Sequence, residues 1–131
     1  MSDITSQSLT SLVKNIKEKK LSSEEITKAF VDRSEKSKEL NSYITEDFSN
    51  AIDKAKKFDD KPNLDLKLPG IPMAVKDLFC TKNIRTTAGS KILENFIPTY
   101  ESTVTQNIWN EGGILLGKLN CDEFAMGSSN E

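Results

Sequence analysis

Histidine is absent from the 131 residues, and only two cysteines occur, Cys80 and Cys121. Without histidine, Ser-His-Asp and Cys-His mechanisms lose their usual general base. The cysteine spacing fits no zinc motif, so neither a zinc nor a haem site is expected. No run approaches the roughly 18 consecutive apolar residues that a membrane helix needs. The opening residues lack a basic stretch followed by an apolar core, so no secretory signal is expected. The thiols are then expected to be reduced, in a cytoplasmic setting. Positive charge is not in excess: 18 Lys+Arg stand against 20 Asp+Glu, a net charge of -2. That balance argues against a basic nucleic-acid footprint on this chain. Neither G-x-G-x-x-G nor G-x-x-x-x-G-K-[ST] occurs, so no phosphate cradle is expected. Internal repeats and low-complexity stretches are also missing.

What is present is patterned. Hydrophobic residues make up 36% and charged residues 29%, a balance too apolar for a disordered chain. Residues 1–67 hold 13 of the 18 basic and 13 of the 20 acidic side chains. A charge-rich front reads as solvated helices, and a charge-poor back as a more buried sheet. Leu9, Leu12, Val13 and Ile16 form one apolar stripe and predict a helix over Ser6–Lys19. Ser22 and Glu25 have capping-box spacing. Ile26, Ala29, Phe30 and the stem of Arg33 continue one face to about Ser37. Tyr43–Thr45 reads as a short extended piece. A third helix is expected near Ser49–Phe58, stopped by Asp59-Asp60-Lys61-Pro62-Asn63. These helices read first as a packed shell and second as a surface for a partner.

From Leu68 the character changes. Ile71–Val75 is a short apolar run after Pro69-Gly70 and reads as a buried strand, with Pro72 near its start. Thr103 and Gln106 have capping-box spacing, and Gly112-Gly113 supply a helix stop. Ile114–Gly117 reads as a second strand. Strand, helix and strand at these lengths predict a βαβ crossover with parallel pairing. The fold class is therefore α/β: N-terminal helices, then the start of a sheet. Two strands do not make an independent sheet, and the chain stops in the loop-like Ser128-Ser129-Asn130-Glu131, so it reads as a fragment.

Lys76 is the leading chemical candidate. It follows a buried apolar run and so sits at a strand's carboxyl end, the edge where open α/β sheets bind ligands. Burial disfavours an ammonium, and a neutral amine is a general base. The plain alternative is a strand-end lysine whose head reaches water. Asp77 either orients Lys76 or caps a turn. Thr86-Thr87-Ala88-Gly89-Ser90 is a small-residue loop that lets backbone approach a ligand, as ordinary loops also do. Cys80 and Cys121 read as small apolar fillers. Ser128-Ser129 follows Gly127 but lacks the G-x-S-x-G pattern of a nucleophile.

Three ordered blocks carry a resemblance. Leu68-Pro69-Gly70-Ile71-Pro72-Met73-Ala74-Val75-Lys76-Asp77 resembles the catalytic-lysine strand of the amidase signature family. Gly112–Asn120 is similar to the next block, and Asp122–Glu131 to the active-site loop. The resemblance implies the first strands and helix of that family's mixed sheet, with 1–131 the N-terminal part of a single amidase domain, 1–67 its helical shell and 68–131 the start of its sheet. It implies that Lys76 is the base, relaying a proton through a bridging serine to a nucleophilic serine that forms an acyl-enzyme. It implies that Met126, Gly127 and Ser128 line the pocket, where Ser128 could hydrogen-bond the lysine or the relay. The bridging and nucleophilic serines belong to a later signature that these residues do not include, so the 131 residues alone are expected to be inactive. Relatives often carry Gly where Asn83 stands, and Asn tolerates the same left-handed turn.

Within the family, the last block is nearest to the branch working in tRNA-dependent amidotransferases. That nearness implies ammonia release from glutamine, partner subunits B and C, and misacylated Glu-tRNA(Gln) or Asp-tRNA(Asn) held mainly by those partners. ATP and Mg would be used by the partner subunit, with no cofactor in this chain. Another amidase-signature hydrolase, a short non-catalytic partner-binding module and a dead gene remnant are the alternatives.

Overall fold

The computed structural model describes residues 3–127. Four helices pack against a mixed three-stranded sheet. The order is α1 (Leu9–Lys17), α2 (Ser23–Lys36), β1 (Tyr43–Glu46), α3 (Phe48–Asp60), β2 (Pro72–Lys76), α4 (Thr103–Asn110) and β3 (Ile114–Leu119). No helix among the described residues is long and apolar enough to cross a membrane.

The first helix begins later than its apolar stripe predicts. Ser8, not Ser6, accepts from the Ser11 N–H and starts α1. Leu12 and Ile16 are buried, whereas Leu9 at the first turn is exposed. The Ser22–Glu25 capping box forms in both directions. A second cap reaches α2 from far along the chain: the Asp59 carboxylate accepts from the N–H groups of Ser23 and Glu24 at 2.9 and 2.8 Å. Asp59 therefore lies inside α3 and satisfies a neighbouring helix end, instead of only stopping its own. The buried face of α2 is Ser23, Ile26, Thr27 and Val31. Arg33 is exposed and donates to Thr5, so its stem does not extend that face.

Two apolar clusters meet on α2. Ile26 packs with Leu12, Ile16 and Ile71. Val31 packs with Phe48, Ala51, Ala55, Ile114 and Leu116. Each large side chain of these clusters contributes about 1.5–3 kcal/mol on burial, so α2 is the element that fastens the helices to the sheet.

The strand order is β1-β3-β2. The crossover through α4 makes β2 and β3 parallel, as predicted. Ser102, one residue before the predicted Thr103, caps α4 by accepting from the Thr105 N–H. The short extended piece at Tyr43 becomes a full strand, antiparallel to β3. Thus the helix-rich front contributes one strand to the sheet.

Gly70 sits at the hinge between the front and β2. Its φ is +65°, and a Cβ there would come within 2.6 Å of both Ser23 Oγ and Phe58 Cδ1. Ser23 donates its hydroxyl proton to the Gly70 carbonyl, so the contact has no room to open. Gly70→Ala is expected to destabilise by about 2–4 kcal/mol, combining left-handed strain and overpacking. Urea unfolding of the protein measures it, and a cost under about 1 kcal/mol would contradict this packing.

Candidate functional site

Lys76 is the last residue of β2. Its register partner on β3 is Leu119, while Val75 faces Lys118. Successive strand residues alternate between faces, so Lys76 and Lys118 leave the sheet on opposite sides. Lys76 is half-buried. Among the described residues its Nζ has no hydrogen-bond partner. Directly after it the chain turns, with the Phe79 N–H donating to the Lys76 carbonyl at 3.1 Å. A groove of about 570 Å³ runs beside this end of the sheet, with Phe30, Arg33, Tyr43 and Leu119 among its walls.

The opposite face holds a closed charge network. Lys118 and Asp77 are both at 0% exposure. Lys118 Nζ donates to the Phe79 carbonyl at 2.7 Å and to Thr86 Oγ1 at 2.8 Å. It lies 3.6 Å from Asp77 Oδ1. Thr86 spends its single hydroxyl proton on the Ile84 carbonyl at 3.1 Å; its lone pair is therefore free to receive the lysine. Burial pushes the Lys118 amine below the ordinary lysine value, and the Asp77 charge pulls it back up. Asp77 Oδ2 accepts from the Thr87 hydroxyl at 2.6 Å and the Thr87 N–H at 3.0 Å. Its other oxygen, Oδ1, has no hydrogen bond among the described residues. The ammonium at 3.6 Å is what offsets that charge.

From Asp77 the network continues into the predicted pocket loop. The Asp77 carbonyl accepts from the Ala88 N–H at 2.8 Å, and the Ala88 carbonyl accepts from the Phe124 N–H at 2.8 Å. Ser90 Oγ donates to Glu123 Oε1 at 2.6 Å. Gly89, at φ +67°, lies so close to this segment that a Cβ would sit 2.6 Å from the Cys121 carbonyl oxygen. Residues 123–125 form a tight turn in which Phe124 and Ala125 hold φ of 52° and 57°. Left-handed backbone at two successive non-glycine residues is strained and is kept only by surrounding contacts.

Of the residues singled out from the sequence, Lys76 lies at the carboxyl end of β2. Met126 follows the strained turn and is 82% exposed; Gly127 comes next, against Asp122. Ser128 lies outside the described residues. Asp77 pairs with Lys118 rather than Lys76. The small-residue loop 86–90 brings its backbone close to Cys121 of its own chain. Asn83 takes the left-handed turn foreseen for it, at φ 62°. Lys118 is the residue that sequence reasoning passed over. Its signal was a lone lysine inside the apolar run Ile114–Leu119, where burial demands a fixed acid and Asp77 stands just past the end of the neighbouring strand. Among the described residues, no group of three or more His, Cys, Asp and Glu side chains is arranged to hold a metal ion.

The amidase family model matches residues 25–131. Over 131 residues the chain is 82% identical to the A-type subunit of the glutamyl-tRNA(Gln) amidotransferase of Pelagibacter ubique (strain HTCC1062), covering 100% of this chain and 27% of that protein. The subunit of the same name from Hyphomonas neptunium (strain ATCC 15444) is 51% identical over 133 residues, again 100% of this chain and 27% of the relative. A solved amidase family protein from Bacillus anthracis str. Ames superposes with a TM-score of 0.82 at 31% identity, over 92% of this chain and 25% of that one. The chain thus spans about a quarter of the length of the relatives it matches.

The two thiols of this region differ in setting. Cys121 is buried, and burial first, then the Asp77 charge, pushes its thiol up. Cys80 is half-exposed and donates to Tyr100 Oη at 3.3 Å. Since the thiolate is the reactive form, iodoacetamide at about pH 8 is expected to label Cys80 at least about tenfold faster than Cys121. Peptide mass mapping over time reads the ratio, and equal rates would refute the packing around Cys121.

Proposed function

The chain belongs to the amidase family, and from that premise we propose that it is the N-terminal part of the amide-hydrolysing subunit of a tRNA-dependent amidotransferase. The observation that carries this reading is 82% identity across all 131 residues to the A-type subunit of a glutamyl-tRNA(Gln) amidotransferase. The complete protein releases ammonia from glutamine, and partner subunits B and C use it to amidate Glu-tRNA(Gln), or Asp-tRNA(Asn) in the broader reading. The near-neutral net charge of -2 supports leaving most of the tRNA contact to those partners. ATP and Mg serve the amidation in the partner subunit.

In this reading residues 1–131 are one continuous part of a single amidase domain. Lys76 is the base. Its half-buried position at the carboxyl end of a parallel strand, without a hydrogen-bond partner among the described residues, supports that role. The proton passes from the nucleophilic serine through the bridging serine to Lys76. The serine oxygen then bonds to the glutamine amide carbon, the carbon–nitrogen bond breaks, and the proton returns to the departing ammonia. Water hydrolyses the resulting ester to glutamate. Met126, Gly127 and Ser128 form part of the pocket wall. In this reading the bridging and nucleophilic serines lie outside these 131 residues, which supply the base and part of the pocket wall but no nucleophile. Exposed apolar side chains along 92–104, with Ile92 82%, Ile97 56% and Tyr100 58% exposed, support the incomplete state of this piece.

Two outcomes are expected. The 131-residue chain releases no ammonia from glutamine in a coupled glutamate assay; Lys76-dependent turnover by it would sink the reading. In the full-length protein, Lys76→Ala lowers ammonia release by about 10²–10⁴-fold, the range for loss of a general base, while circular dichroism and assembly of the complex stay unchanged. Near wild-type turnover would reject Lys76 as the base. Running glutamine beside simple aliphatic and aromatic amides separates this reading from that of another amidase-signature hydrolase.

A further inference from the structure

We propose that Lys118 is a positioning residue for Lys76, holding the base's strand end and the 123–127 loop in one fixed relation; this rests on the reading of Lys76 as the base. Lys118 does not take part as a reacting amine. It is at 0% exposure, and two hydrogen bonds and one ion pair occupy its ammonium. Its partners are what matter. Phe79 O lies three residues past Lys76, at the end of the turn whose Phe79 N–H closes back on the Lys76 carbonyl. Asp77 is the next residue after Lys76, and its own N–H donates to the Leu119 carbonyl at 2.9 Å, extending the β2–β3 ladder. Lys118 therefore grips the chain at both ends of the turn that follows the base.

The same grip reaches the predicted pocket loop. Asp77 is clasped by Thr87 through side chain and backbone, and its carbonyl takes the Ala88 N–H. Ala88 in turn receives the Phe124 N–H. So a continuous path of bonds runs from Lys118 Nζ to the strained turn at Phe124 and Ala125. A side chain whose placement error of about 1 Å costs up to about 10²-fold in rate needs such an anchor. The Asp77–Lys118 pair supplies it from the face of the sheet away from Lys76, where it does not obstruct the substrate side.

The test uses the full-length protein in its complex, with glutamine as substrate. Lys118→Met keeps an unbranched chain one atom shorter and removes the charge, leaving Asp77 buried alone; it is expected to lower both the urea midpoint and kcat. The double variant Asp77→Asn/Lys118→Met removes both charges. It is expected to regain most of the midpoint while kcat stays about 10- to 100-fold down and KM changes less than about threefold. Thr86→Val, which removes one acceptor and keeps the ion pair, is expected to lower kcat several-fold in a folded protein. It gives a readout even where both lysine variants fail to fold. If the double variant regains both midpoint and kcat, or if Thr86→Val leaves kcat unchanged, Lys118 is only structural and the proposal falls. Lys76→Ala run alongside separates the two levels: an active Lys76→Ala refutes the base itself, whereas an inactive one beside an active double variant refutes only the positioning.

Discussion

An ammonium group taken out of water has to be met by fixed partners, because the desolvation cost is several kcal/mol per ion. Lys118 draws its polar partners from one short stretch, Asp77, Phe79 and Thr86. That stretch cannot move without exposing or orphaning a buried charge. The turn after Lys76, the loop through Thr87 and Ala88, and the segment reaching Phe124 are therefore ordered together. A hydrophobic residue in place of Lys118 would fill space but would not specify which carbonyl and which hydroxyl lie against it. In the positioning role proposed for Lys118, the buried pair serves geometry more than net stability; removing one partner alone leaves an uncompensated buried charge.

The elements with local chemistry were legible in the sequence. Ser22 and Glu25 announced the start of α2 because a capping box needs only three residues of context. The βαβ unit was legible because two apolar runs flank a helix of the right length. What stayed hidden was set by distant residues. Asp59 looked like a helix stop and instead caps α2 from 36 positions away. Tyr43–Thr45 looked like a short extended piece; the pairing of β1 with β3 depends on tertiary placement that no local pattern encodes. Ser8 and Ser102 displaced the predicted helix starts by one or two residues, the usual error where several hydroxyl side chains compete for one cap.

The place of Lys76 at a strand's carboxyl end was legible from the apolar run before it, and its neighbour Asp77 was legible only as an acid near a lysine. That Asp77 does not orient Lys76, one of the two readings open for it, has a geometric cause. Residues adjacent in a strand point to opposite faces, so Asp77 was never well placed to face Lys76. Lys118, the residue before the end of β3, shares the face of Val75 and Asp77. A rule follows for reading such sequences: a lysine inside an apolar strand should be matched first to acids of the same parity on the adjacent parallel strand.

The two lysines also divide the electrostatic labour of the sheet end. One side of the sheet holds a charge that is enclosed, paired and hydrogen-bonded at 2.7 and 2.8 Å. The other side presents an amine that is half-buried and, among the described residues, unbonded. A group meant to hold position is best saturated, since every unmet donor in a dry interior costs free energy. Placing the two on opposite faces of the same pair of strands keeps Lys76, the base of the proposed mechanism, outside the network that makes Lys118 rigid. The strained turn at Phe124 and Ala125 is tied to the enclosed lysine's network: backbone strain persists only when something rigid over-determines it, and the hydrogen-bonded face is where that rigidity lies.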